Sequence, residues 1–216
     1  MRVALFGASG RTGRLVADRA LAAGHEVTAV SRSAVPSTVP ADARSGPRLV
    51  RGDVLDPASL GAAVAGSDVV LSTIAPPLRQ LLRPTTLYST GVANLIAAMR
   101  EQGVGRLITV SSAGVHDGDP SHPPFYRYVL KPVLFDRGLY RDMRVMEHAV
   151  ANSGLEWVIV RASGLTDGPA TGDYRVETGH LPPGGSRLSR ADLADFLVTQ
   201  LRADSEYLGQ HPTVAY

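Results

Sequence analysis

The sequence predicts an α/β fold, a doubly wound parallel sheet with helices on both faces. Three observations carry that expectation. A short apolar run near the start, Val3-Ala4-Leu5-Phe6, meets a glycine-spaced turn and then a helical pattern. Strand-like and helix-like segments then alternate through the first half of the chain, the rhythm of parallel strands joined by crossover helices. The run Asp68-Val69-Val70-Leu71-Ser72-Thr73-Ile74 is nearly all apolar, as a strand covered on both faces must be. At 216 residues the chain fits one domain, residues 1–216, with a cap-like insert at about 115–136.

Bulk properties narrow the function classes. Hydrophobic content of 44% against 19% charged residues describes a globular chain and not a disordered one. The absence of cysteine removes disulfides, thiolate metal sites and a cysteine nucleophile. Net charge is +2 with a pI of about 9.1, because arginine outnumbers the single Lys131. The arginines form no basic block, so no nucleic-acid partner is expected. Met1-Arg2-Val3 runs straight into the first strand, with no secretory signal before it and no apolar run long enough to span a bilayer. A cytoplasmic protein with a small-molecule substrate is the expectation; the oligomeric state, monomer or dimer, is left open.

The opening segment carries the chemistry. Gly7-Ala8-Ser9-Gly10-Arg11-Thr12-Gly13 separates the first strand from a helix on which Leu15, Val16, Arg19, Ala20 and Ala23 recur, and Gly24 ends that helix. Such a turn sets unpaired N–H groups and the positive end of a helix dipole beside a bound anion. Gly7 permits the tight turn, Gly10 lets a pyrophosphate approach with no Cβ in the way, and Gly13 lets helix and strand pack closely. The spacing is G-x-x-G-x-x-G, not G-x-G-x-x-G, and a plain structural turn also uses glycine. The strand before, the helix after and a basic residue past the second strand favour a dinucleotide.

Residues 26–31 read as the second strand, with Arg32 just past its end. An acid there would bind the ribose hydroxyls of NAD; a base meets the 2′-phosphate of NADP. Arg32 therefore favours NADP(H) over NAD(H), the alternative being a solvated surface arginine. Residues 35–47 read as loop, and a short third strand starts at Leu49-Val50 and ends at Gly52-Asp53-Val54. Asp56-Pro57 predicts a helix with Asp56 as N-cap, running to about Gly66. Residues 85–102 predict a long helix with Val92, Leu95, Ile96 and Met99 as its core stripe, ended by Gly103. Leu107-Ile108-Thr109-Val110 is a strand, followed by Ser111-Ser112-Ala113-Gly114.

The insert then breaks the rhythm with four prolines and the aromatics Phe125, Tyr126, Tyr128 and Phe135, which either line a pocket or form a satellite core. His116, Asp117, Asp119 and His122 lie in this stretch without a recognised ligand spacing, so a polar loop and no metal site is expected; His116 is a secondary candidate for proton donor. A helix follows with Leu139, Met143, Met146 and Val150 on one face. Residues 156–161 form the sixth strand, and 165–185 read as loop with a short strand at Tyr174-Arg175-Val176. Ser189-Arg190-Ala191-Asp192 has the form of a capping box, with Leu193, Phe196, Leu197 and Leu201 facing the core. Residues 213–216 are expected to form a last edge strand.

Taken together, the chain resembles the atypical short-chain dehydrogenase/reductase superfamily, and within it the small NAD(P)H-binding proteins that include biliverdin reductase B/flavin reductase and the NmrA-like proteins. The carriers are Phe6-Gly7-Ala8-Ser9-Gly10-Arg11-Thr12-Gly13, Gly52-Asp53-Val54-Leu55, Pro84-Thr85-Thr86, Ser111-Ser112-Ala113-Gly114, Ser153-Gly154-Leu155, and Thr166-Asp167-Gly168-Pro169 with Gly172 and Tyr174. The resemblance implies a Rossmann-type sheet. It implies that Gly7, Ser9, Gly10, Arg11, Thr12 and Gly13 hold the phosphates and that Arg32 holds the 2′-phosphate. Asp53 and Val54 would flank the adenine, and Thr73, Ile74 and Ala75 would run beside the ribose and pyrophosphate. Ser111 and Ser112 would lie near the nicotinamide, Ser112 matching a serine that polarises a substrate carbonyl. Each serine also has a local role open to it, bonding the backbone at a strand end.

The departures bear on the reaction. No Tyr-x-x-x-Lys is present; Tyr140 has Arg144 four residues on, so arginine would have to replace the lysine. Tyr140-Arg141-Asp142-Met143 stands where relatives carry Tyr-x-Asp-Lys. Met143 and Gly164 stand at the positions of the biliverdin/flavin reductase's histidines. The expected function is an NADPH-dependent oxidoreductase passing hydride to a small flavin-, quinone- or carbonyl-type acceptor, for which solvent can supply the proton. Tyr140, Ser111 and Ser112 are its candidate catalytic residues. The alternatives are a non-catalytic NADP(H) sensor of the NmrA kind and an epimerase with tightly held NAD, the latter disfavoured by Arg32.

Overall fold

A computed structural model describes residues 1–32, 46–77, 83–116 and 138–216. The elements in chain order are β1 (Arg2–Phe6), α1 (Arg11–Ala22), β2 (Glu26–Ser31), β3 (Arg48–Arg51), α2 (Gly61–Val64), β4 (Val69–Ser72), α3 (Leu87–Glu101), β5 (Arg106–Ser112), α4 (Leu139–Ala151), β6 (Glu156–Ala162), β7 (Gly164–Thr166), β8 (Arg175–Thr178), β9 (Arg187–Ser189), α5 (Arg190–Thr199) and β10 (Pro212–Ala215). Among the described residues one eight-stranded sheet runs β3-β2-β1-β4-β5-β6-β10-β8, and β7 pairs with β9 in a small second sheet. All pairings in the large sheet are parallel except that of β8 with β10. The doubly wound α/β expectation holds.

Both faces of the central strands are apolar because successive side chains point to opposite sides. In β1, Ala4 and Phe6 join the cluster under α3 and α4, and Val3 and Leu5 join the one under α1 and α5. The α3 stripe of Val92, Leu95, Ile96 and Met99 is buried as its spacing predicts. Tyr140, Met143, Met146 and Val150 of α4 enter the same cluster. Among the described residues no helix is long and apolar enough to cross a membrane.

Four expectations need correction. The Asp56-Pro57 start yields a 3-10 turn, Pro57–Ser59, and then the four residues of α2; Asp56 makes no side-chain capping bond. Ser59 Oγ takes up the slack, accepting from Asp53 N at 2.9 Å. The third strand stops at Arg51 and not at Val54, because Asp53 Oδ1 accepts from Leu55 N at 3.0 Å and folds the chain into an Asx turn. The segment 165–185 is more ordered than a loop with one short strand: β8 spans Arg175–Thr178, and β7 and β9 pair across it. Finally, β10 is not an edge strand. It lies between β6 and β8, and β8 closes the sheet outside it.

The Ser189 capping signature is half fulfilled. Ser189 Oγ accepts from Asp192 N at 2.9 Å, while the Ser189 N–H goes to Tyr216 Oη at 3.1 Å. The Asp192 carboxylate instead gathers Thr171 N, Gly172 N, Thr171 Oγ1, Ser189 Oγ and Tyr216 Oη, all within 3.1 Å. Burial alone would raise its pKa, but the hydrogen bonds from Tyr216, Gly172 and Thr171 win and bring it to about 2. A folded-state pKa below the unfolded value stabilises the fold above the unfolded carboxylate pKa of about 3.9, and that stability is lost as pH falls through the folded value. Asp192→Asn is therefore expected to cost about 3 kcal/mol at neutral pH and to flatten the loss of stability between about pH 4 and pH 2. Urea denaturation of both proteins at neutral and acid pH measures it.

Candidate functional site

The sheet order reverses at β1, whose neighbours β2 and β4 leave in opposite directions. In open α/β sheets the crevice beyond the carboxyl ends of strands at such a switch point receives the ligand. Here a cleft of about 1200 Å³ opens there. Gly7, Ser9, Gly10, Arg11, Thr12, Arg32, Asp53, Val54, Thr73, Ile74, Ala75, Ser111, Ser112 and Tyr140 all line it. Gly13 does not, because it lies beneath, in the contact between helix and strand.

The three glycines have distinct jobs. Gly7 has φ +81°, and a Cβ there would stand 2.8 Å from the Thr73 backbone. A Cβ on Gly13 would stand 2.1 Å from the Gly7 carbonyl oxygen, so only glycine lets α1 lie this close to β1. Gly10 is different: it is extended at φ −73°, ψ 166°, and a Cβ would meet only the Gly7 oxygen, at 3.2 Å. At position 10 a side chain would therefore ask far less of the fold than at position 13, a shift of a few tenths of an ångström in one backbone oxygen. Gly10 is also the N-cap of α1 and supplies no side-chain cap, which leaves the first-turn N–H groups to the cleft. Thr73 N and Oγ1 both donate to the Phe6 carbonyl, at 2.9 and 3.1 Å, and tie β4 to the base of the turn.

At the far end of the cleft the two serines separate. Ser112 Oγ accepts from Gly114 N at 3.2 Å, a local, backbone-bonding contact that uses the hydroxyl as an acceptor. Ser111 Oγ is buried and has no hydrogen-bond partner, as does Ser163 Oγ just past β6. An unsatisfied buried hydroxyl costs roughly 1–3 kcal/mol, a cost a ligand with a complementary group removes. Leu139, Tyr140, Met143 and Leu181 give this end an apolar wall. Arg144 Nη1 donates to the Val115 carbonyl at 3.3 Å. Gly164 cannot carry the histidine of the biliverdin/flavin reductase in this backbone, since its Cβ would stand 2.9 Å from the Ser186 oxygen. Tyr88, also in the wall, is buried beside Asp142, and both effects push its phenol far above the ordinary value.

Several supporting residues escaped the sequence reading. Asp142 of α4 caps α3 from outside, accepting Tyr88 N at 2.8 Å, Ser89 N at 3.2 Å and Ser89 Oγ. Its signal was an acid inside an otherwise apolar helix stripe. Arg161 of β6 makes a two-pronged, nearly buried pair with Glu147 of α4 at 2.6 and 3.0 Å. Asp167 pairs with both Arg11 and Arg190. Among the described residues no cluster of three or more His, Asp or Glu is placed to hold a metal ion. Asp117, Asp119 and His122, and the aromatics Phe125, Tyr126, Tyr128 and Phe135, lie outside the described residues; His116 lies within them.

The residues present fit a dinucleotide: a helix start that no side chain caps, a glycine with no side chain at its N-cap, and an orphaned buried hydroxyl at the other end. A family model described as NAD(P)H-binding matches residues 7–204. The chain belongs to that NAD(P)H-binding family. Among curated relatives, an uncharacterized chloroplastic protein of Arabidopsis thaliana is 29% identical over 181 residues, covering 82% of this chain and 63% of the relative. Phenylcoumaran benzylic ether reductase PT1 of Pinus taeda is 32% identical over 136 residues, covering 57% of this chain and 41% of the reductase. The chain thus spans less than two thirds of the length of either relative. Among solved structures, ChuY, an anaerobillin reductase from Escherichia coli O157:H7, superposes with TM-score 0.76 at 24% identity over 100% of this chain and 97% of its own. A short-chain dehydrogenase/reductase from Veillonella parvula in complex with NADP gives TM-score 0.78 at 19% identity over 100% and 94%. At these identities the two structures establish the Rossmann-type fold.

Proposed function

We propose that this protein is an NADPH-dependent reductase that passes hydride to a small, flat or carbonyl-bearing acceptor of the flavin or quinone kind. One observation carries the reading. A single cleft runs from Arg32, past the glycine turn, to the buried Ser111 hydroxyl and the apolar wall of Leu139, Tyr140, Met143 and Leu181. The bound nicotinamide would supply the hydride. The chain's own residues bind and orient. Arg32 offers a cation to a 2′-phosphate, the α1 start and Gly10 receive the diphosphate, and Ser111 offers a hydrogen bond beside the reacting ring. The wall holds an acceptor against that ring, and positioning of this kind supplies a large part of a rate enhancement.

The sequence carries no Tyr-x-x-x-Lys, with Arg144 four residues after Tyr140, so the proton for an acceptor of this class comes from solvent. That same feature favours the second reading, a NADP(H)-binding sensor without turnover, as in NmrA-like proteins. NADPH oxidation with FMN, quinones and aldehydes in turn separates the two. Turnover with at least one acceptor is expected; tight NADPH binding with no oxidation by any of them supports the sensor and contradicts the reductase.

A further inference from the structure

Asp167 stands between two arginines. Its Oδ2 meets Arg11 Nη1 at 2.6 Å and its Oδ1 meets Arg190 Nη1 at 2.7 Å. Arg11 is the first residue of α1 and Arg190 the first of α5, and the two helices pack side by side on one face of the sheet. Both arginines line the cleft. Arg190 is held in place more firmly, with 14% of its side chain exposed against 54% for Arg11.

Neither position suits a cation, because the positive end of a helix dipole repels it. The first turn of α1 holds no acid to offset that cost. The first turn of α5 holds Asp192, but its carboxylate is already taken by Thr171, Gly172, Ser189 and Tyr216. One carboxylate thus serves two guanidiniums and two helix starts, and it leaves positive charge over at the rim of the cleft. A guanidinium has five N–H donors, and each of these gives Asp167 one nitrogen.

We propose that Arg190 is a second diphosphate-binding residue, reaching from α5 to the face of the cofactor's pyrophosphate that the glycine turn leaves open. Asp167 is the counter-charge that keeps Arg190 and Arg11 together at that spot. The inference rests on the cofactor reading above, but on the diphosphate alone and not on the 2′-phosphate.

The test is calorimetric titration of the full chain with NADPH and with NADH. Arg190→Gln is expected to weaken both cofactors in equal proportion, by about tenfold or more, as loss of a charge-assisted phosphate contact implies. Arg190→Lys, which keeps the charge but loses the planar fork, is expected to weaken both cofactors by a smaller factor than Arg190→Gln. Arg190→Gln binding both cofactors with parental affinity overturns the inference. So does an equal loss in the Gln and Lys variants accompanied by lowered stability, which would mark Arg190 as structural. A parent protein that prefers NADH overturns the NADPH reading and leaves this inference standing.

Discussion

Gly13→Ala is expected to abolish measurable cofactor binding and to destabilise the fold by about 3 kcal/mol or more. The added carbon would lie 2.1 Å from the Gly7 carbonyl oxygen and 2.9 Å from Ala8 Cα. Both obstacles are backbone, so no side chain can swing aside; α1 must lift off β1. That movement displaces the helix start that faces the cleft and opens the packing of Val16 and Ala17 beneath it. Gly10→Ala is the informative partner. Its backbone angles suit any residue, and its Cβ would meet only one atom, at 3.2 Å. The stability loss is therefore expected to stay at or below about 1 kcal/mol, well under that of Gly13→Ala, while NADPH affinity falls by tenfold or more, about 1.4 kcal/mol. Denaturant unfolding and calorimetry on the two variants separate a glycine required by the fold from one required by the ligand. Gly10→Ala binding NADPH as the parent does would show that nothing approaches that backbone.

Arg32→Glu is expected to weaken NADPH by about a hundredfold, from loss of a charge-assisted contact of roughly 1.5–3 kcal/mol and its replacement by repulsion. NADH, lacking the 2′-phosphate, should change by no more than about threefold, the screened effect of one surface charge. Arg32 is exposed and lines the cleft, past the end of β2. The substitution touches no core residue, so the fold should be unaffected. The NADPH effect should shrink at high salt, as attraction to an exposed phosphate does. Equal losses for both cofactors would show that Arg32 does not read the 2′-phosphate.

What the sequence made legible was local. The glycine turn, the α3 stripe and the two apolar faces of β1 depend on neighbours a few residues away, so spacing alone places them. The supports of the site depend on partners far along the chain. Asp142 caps α3 through Tyr88, 54 residues before it, and Asp167 meets Arg11 across 156 residues. No periodicity records such contacts. β10 reads as an edge strand because its own residues say nothing of β8 closing outside it. Asp56-Pro57 is a sound helix start whose helix failed to propagate, because Asp53 and Ser59 used the local hydrogen bonds for a turn. At the site, the resemblance gives the carbonyl-polarising role to Ser112 and not to Ser111. Only the packing shows that Ser112 is engaged locally and that Ser111 keeps a buried hydroxyl unsatisfied.

The most direct test of the account is a crystal structure of the full chain with NADP bound. The account predicts a diphosphate against Gly10 and the first turn of α1, a 2′-phosphate within hydrogen-bonding reach of Arg32, and a nicotinamide beside Ser111. A dinucleotide bound in the reverse sense, or one lying away from the crevice between β1 and β4, would contradict it.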